Sequence, residues 1–96
     1  MTDPTVSNLI LRQLGGMPFL VLTGACDISH DARSVTMRLP KANPGIVLVR
    51  VTMTDLDLYD IATLNRDGVV LDVRVDEAAK ILPRTFEEMT GRRTGW

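Results

Sequence analysis

The sequence predicts an α+β fold, an antiparallel sheet of about five strands with a helix at each end of the chain (α-β-β-β-β-β-α). Three observations carry this reading. Apolar residues recur at helical spacing near both ends. Between them, aliphatic side chains alternate with polar ones over several short segments. The elements never take the strand–helix–strand order that a parallel sheet requires.

The N-terminal helix is expected over about residues 4–14. Asp3-Pro4 starts it, since Asp accepts from free N–H groups and Pro suits the first helical position. Val6, Leu9, Ile10 and Leu14 follow at helical spacing, and Gly15-Gly16 stops it. The apolar run Phe19-Leu20-Val21-Leu22-Thr23 reads as a short buried strand closed by Gly24. Ala25 to Arg33 is polar without a period and reads as a loop.

Ser34 to Leu39 alternates, with Val35, Met37 and Leu39 on one face and Ser34, Thr36 and Arg38 on the other. Pro40 ends that strand, and Lys41 to Gly45 is a turn. Ile46 to Thr54 is the strongest strand, with Val47, Val49, Val51 and Met53 on one face and Arg50 and Thr52 on the other. Leu58 to Leu64 is a weaker strand. Asn65-Arg66-Asp67-Gly68 then joins it as a hairpin to Val69–Val75, where Val69, Leu71, Val73 and Val75 alternate with Val70, Asp72 and Arg74. Leu82, Phe86 and Met89 share a face of the C-terminal helix. Pro83 places its start either near Lys80 or after a short turn, and Thr90-Gly91 closes it. Arg92 to Trp96 is a tail.

Residues 1–96 are read as one domain, long enough to bury a core without staples. The net charge of −1 gives no global field toward nucleic acid or an anionic membrane. Cys26 is the only cysteine, which excludes an intramolecular disulfide. The first residues lack a basic region followed by an apolar block, and no apolar stretch approaches a membrane span. A cytoplasmic protein with no membrane contact is expected.

The string Leu14-Gly15-Gly16-x-x-Phe19, Thr23-Gly24-Ala25, Arg38-Leu39-Pro40, Val49-Arg50-Val51-Thr52, Asp57-x-Tyr59 and Phe86-x-x-x-Thr90-Gly91 resembles a widespread group of small phage and prophage proteins. The resemblance covers nearly the whole chain and rests on order and spacing. It implies an accessory product of a mobile element with no assigned activity, so it carries no catalytic residues across. The chain departs from the pattern at Arg92-Arg93 and Trp96, where relatives more often hold aromatic or aliphatic residues.

Chemistry-bearing residues are sparse. Cys26, Asp27, His30 and Asp31 crowd one segment, but one Cys and one His are thin material for zinc or for a nucleophile and base. Asp55, Asp57 and Asp60 fit turns better than a metal pair. No phosphate-binding glycine loop or nucleophile elbow is present. The chain is therefore expected to be no enzyme and to need neither cofactor nor metal.

Arg38, Arg50 and Arg74 fall on the polar faces of their strands, either as a patch for phosphate or an acidic partner, or in cross-strand pairs with Asp72 and Asp60. Tyr59, Arg92, Arg93 and Trp96 complete the candidate binding set, because aromatic and Arg residues dominate interfaces.

Three functions are carried forward, the last and least favoured being a small enzyme using the Cys26–His30 segment. The first is binding to a host or phage protein, self-association included, through a sheet face or edge, with inhibition of a host defence system as one form. The second is nucleic-acid binding through the Arg-bearing face. Few aromatics stand ready to stack bases, so this reading comes second.

Overall fold

The computed structural model describes residues 5–40 and 45–91. The expected helix start at Asp3-Pro4, the turn residues Lys41 to Pro44 and the tail Arg92 to Trp96 lie outside the described residues. The elements run α1 (Thr5–Leu14), α2 (Met17–Thr23), β1 (Cys26–His30), β2 (Ser34–Arg38), β3 (Leu48–Met53), β4 (Tyr59–Leu64), β5 (Val70–Glu77) and α3 (Leu82–Thr90). The five strands form one sheet in the order β1-β2-β3-β4-β5, each antiparallel to its neighbour. The expected class holds, an antiparallel sheet with helices at both ends, although two of its elements differ from expectation.

The first difference is the run Phe19 to Thr23, which is helical rather than a strand. Gly16 is the N-cap of α2 at φ 65° and Pro18 lies in its first turn. Proline has the helical φ already set and lacks an N–H that the first turn would leave unbonded. The Thr23 hydroxyl donates to the Phe19 carbonyl at 2.7 Å, and Gly24 ends the helix in the left-handed conformation at φ 68°. Phe19 and Thr23 are buried while Met17 and Val21 stay exposed, so the segment is amphipathic at helical spacing. A short apolar run does not distinguish strand from helix by period.

The second difference is β1, which lies within the segment expected to be a loop. It pairs with β2 through Cys26↔Arg38, Ser29↔Thr36 and His30↔Val35, and the register shifts between Cys26 and Ser29. All five of its residues are exposed, so burial imposes no apolar alternation on them. The hairpin is organised by Asp31. Its carboxylate accepts from the Arg33 and Ser34 N–H groups at 2.9 and 2.8 Å, and the Asp31 N–H donates to the Ser34 carbonyl at 3.1 Å.

The remaining elements follow the sequence pattern. Asn65 Oδ1 accepts from the Asp67 and Val69 N–H groups, and Gly68 takes φ 81° in the β4–β5 hairpin. Helix α3 begins at Leu82 with Pro83 in its first turn, so the proline is accommodated without a break.

The core forms on one face of the sheet. Val35 and Met37 of β2, Val49 and Val51 of β3, and Tyr59 and Ile61 of β4 are buried with Ile10, Leu14, Phe19, Leu82, Phe86 and Met89 of the helices. Register places Val51 between Val35 and Ile61, so these residues form one continuous row. The Phe19 and Phe86 rings meet edge to face, with centroids 5.0 Å apart and planes at 70°. This contact joins α2 and α3 within the core that lies on the sheet.

Phe86→Ala is expected to destabilise the fold by about 3–5 kcal/mol, measured by denaturant unfolding. A loss under about 1 kcal/mol, the size of a surface effect, would show that the ring is not a central part of the core.

Candidate functional site: the sheet edge at β5

Along the pleat, the face opposite the helices carries Thr36 and Arg38 of β2, Leu48, Arg50 and Thr52 of β3, and Asp60, Ala62 and Leu64 of β4. Arg38 and Arg50 are diagonal neighbours on this face, because Arg38 is opposite Leu48 and Arg50 is opposite Thr36. Each has a local partner. Arg50 Nε donates to Thr36 Oγ1 at 3.3 Å, and Arg38 lies 3.5 Å from the Asp27 carboxylate of β1.

Arg74 is not on that face. It is opposite Ile61 and Asp72 is opposite Thr63, so both take the helix-bearing side of the sheet. Arg74 reaches Glu88 of α3 there at 3.7 Å, and Arg84 lies at the same distance from the other Glu88 oxygen. The three-arginine patch expected from alternation is therefore not assembled. The pairing expected with Asp72 and Asp60 is replaced by Glu88 for Arg74 and by Asp27 for Arg38.

Tyr59, expected as a surface contact, is instead 2% exposed and part of the core. It begins β4 on the covered face, opposite Met53, where an aromatic ring fills the end of the apolar row. Arg92, Arg93 and Trp96 lie outside the described residues.

The Cys26–His30 segment does not form a compact cluster. As part of an extended strand the two residues are separated by roughly 13 Å at about 3.3 Å per residue, and both are exposed. Among the described residues no group of three His, Cys, Asp or Glu side chains is placed to hold a metal ion. Asp55, Asp57 and Asp60 serve the β3–β4 connection and its surroundings. Asp55 pairs with Arg33 at 2.9 Å, Asp57 sits at φ 58°, and Asp60 accepts from the Asp76 N–H at 3.0 Å. Arg33 also donates to the Met53 carbonyl at 3.2 Å, tying the β1–β2 turn to the β3–β4 turn. Composition gave no sign of that role.

What stands out is β5. Among the described residues it is an edge strand, paired only with β4. Val70, Leu71, Val73 and Val75 within it, and Val69 before it, are between 49% and 60% exposed. Register shifts on both sides of Ile61–Thr63 leave a regular stretch at Asp72-Val73-Arg74, flanked by bulges. Val73 is opposite Ala62 and Val70 is opposite Leu64, which places both valines on the outer face. The aliphatic residues thus face away from the helices and the charged pair faces toward them, the reverse of what burial would select.

The opposite edge differs. Strand β1 has one large exposed aliphatic, Ile28, and Asp27 at φ 49° in its bulge. It is also shorter, five residues against eight, and a short edge strand discourages strand addition. Of the two edges, only β5 offers a run of apolar side chains beside an unpaired backbone.

No family model, curated protein or solved structure matches the chain. The candidate site therefore rests on its own geometry. No helix among the described residues is long and apolar enough to cross a membrane.

The only tyrosine supplies a test of the placement of the β4 end. Burial, and then the neighbouring Asp57 charge, push the Tyr59 phenol above its ordinary value of 10.0. A raised folded-state value means that its contribution to stability is complete below pH 10 and is lost as pH rises through the folded value. Phenolate absorbance is expected to appear only above the pH at which free tyrosine ionises, together with loss of the folded circular dichroism signal. Ionisation near pH 10 with the fold intact would place Tyr59 at the surface.

Proposed function

We propose that this chain acts by binding another protein, which adds a strand to the β5 edge. The observation that carries this reading is the continuous exposure of Val69, Val70, Leu71, Val73 and Val75 along a strand with one side unpaired. An incoming extended segment gains backbone hydrogen bonds from the edge and specificity from alternate side chains. Covering a half-exposed aliphatic side chain contributes about 1 kcal/mol, so five together offset a good part of the cost of association.

The motif string suggests the setting, a cytoplasmic accessory protein of a phage or other mobile element, of which an inhibitor of a host defence system is one form. Binding is preferred to catalysis because the exposed Cys26 and His30 are apart and no cluster of acidic or metal-binding side chains assembles among the described residues. The nucleic-acid alternative has less behind it. Arg38 and Arg50 share a face, but Arg74 is on the other and Arg38 has Asp27 beside it.

The test is site-specific photocrosslinking in the producing cell. A photoreactive phenylalanine at Val75 is expected to give a discrete adduct several-fold more abundant than the same group at Asn8, an exposed position on α1. Equal yields from the two positions, or none from Val75, would sink the reading. The adduct mass separates self from a foreign partner.

A further inference from the structure

We propose that a second copy of this chain occupies the β5 edge, in an antiparallel pairing whose two-fold axis passes through Val73. The inference rests on the reading of β5 as a binding edge and names the occupant.

The strand is self-complementary in one register. With Val73 opposite Val73, Asp72 of each copy faces Arg74 of the other, and Leu71 of each comes opposite Val75 of the other. A two-fold axis normal to the sheet leaves each side chain on its own face. Asp72 and Arg74 share the helix-bearing face, so they meet across the junction as two reciprocal pairs.

Neighbouring registers do not work. A shift that preserves faces and the two-fold moves the axis to Asp72 or to Arg74, and each places a like charge directly against itself. A move of the axis by two residues, to Leu71 or Val75, removes the Asp72–Arg74 match altogether. The favoured register also centres on the regular stretch between the two bulges, where the strand keeps ideal pairing geometry.

The backbone agrees with this centre. The Val73 N–H donates to the Asp72 carboxylate at 2.9 Å, which places that donor on the open side of the strand. The N–H and C=O of one strand residue point to the same side, so two Val73 residues brought together exchange two hydrogen bonds. In the single chain the Asp72 carboxylate satisfies the edge donor. On pairing, the second copy's Val73 carbonyl takes that donor and the carboxylate turns to Arg74 of the second copy. Arg74 is held only loosely in its own chain, 3.7 Å from Glu88, and Arg84 remains beside Glu88 when Arg74 turns away.

Charge exchange tests this directly. By sedimentation equilibrium, the wild-type chain is expected to reach twice its 10.6 kDa mass as concentration rises. Asp72→Arg places Arg against Arg in the pair, and Arg74→Asp places Asp against Asp. Each variant alone is expected to weaken self-association on the order of tenfold or more while keeping the wild-type circular dichroism spectrum. Mixing the two variants is expected to restore a dimer containing one copy of each, and the double variant D72R/R74D is expected to self-associate again. The proposal is overturned if the wild type stays monomeric at millimolar concentration. It is equally overturned if both single variants dimerise like the wild type, or if their mixture does not associate. A monomeric wild type that still gives a foreign adduct from Val75 would remove the self-pairing and leave β5 as a binding edge. Loss of both would remove β5 itself.

Discussion

The edge-to-face contact of Phe19 with Phe86 is the interaction on which the arrangement depends. It brings α2, near the start of the chain, against α3, near its end, within the same core as Val35, Val51 and Ile61. Without a helical layer pinned there, the sheet would have no preferred inner face. Once it is pinned, the pleat assigns every residue of β2, β3 and β4 to one side or the other. Arg38 and Arg50 are exposed because Met37, Val49 and Val51 are not. The same layer has a limited width, and α3 meets Arg74 of β5 through the charged Glu88. The apolar cover stops short of the fifth strand.

The parts of the fold legible in the sequence are those where burial acts on one face only. Strands β2 and β3 alternate because an aliphatic side chain on the wrong face would lose its cover, and Val35, Met37, Val49 and Val51 are all buried as the pattern predicts. Gly91 closes α3 at φ 73°, as a glycine after a helical run should. The failures have separate physical causes. In the Phe19 run, Pro18 and Gly16 carried the helix signal, but apolar content dominated the reading. In β1, the strand is held by pairing to β2 without burial, so no side-chain period records it; the Asp31 turn was the available clue.

The candidate site shows a subtler failure. Alternation along Val69 to Val75 predicts a polar face bearing Arg74 opposite an aliphatic one, a rule that fixes inside from outside only where there is an inside. Beyond the helical cover neither face of the sheet is interior, and the bulges at either end of Asp72–Arg74 reset which residues share a side. Val70 and Asp72, two apart in sequence, consequently lie on opposite faces. The valines turned outward and Arg74 turned toward Glu88. Tyr59 was misplaced for a related reason. Aromatic residues are common at interfaces and in cores alike, and it is the register opposite Met53 that assigns this one to the core.

These considerations make β5 the least economical part of the single chain. Hydrophobic side chains stabilise a fold in proportion to the area they remove from water, and Val70, Val73 and Val75 remove about half or less of theirs. Polar residues of similar shape, such as threonine, would keep the strand pairing to β4 and lower the hazard of an apolar edge. The other edge follows that rule, with Cys26, Asp27, Ser29 and His30 around a single isoleucine. A chain that protects one edge and leaves the other apolar has two edges with different roles. On the proposed reading, an added strand would give these side chains lateral neighbours on a face that the helices do not reach. In that view the bulges do not block pairing along β5; they set Asp72-Val73-Arg74 as its regular centre, where the charges of the strand match their own mirror order.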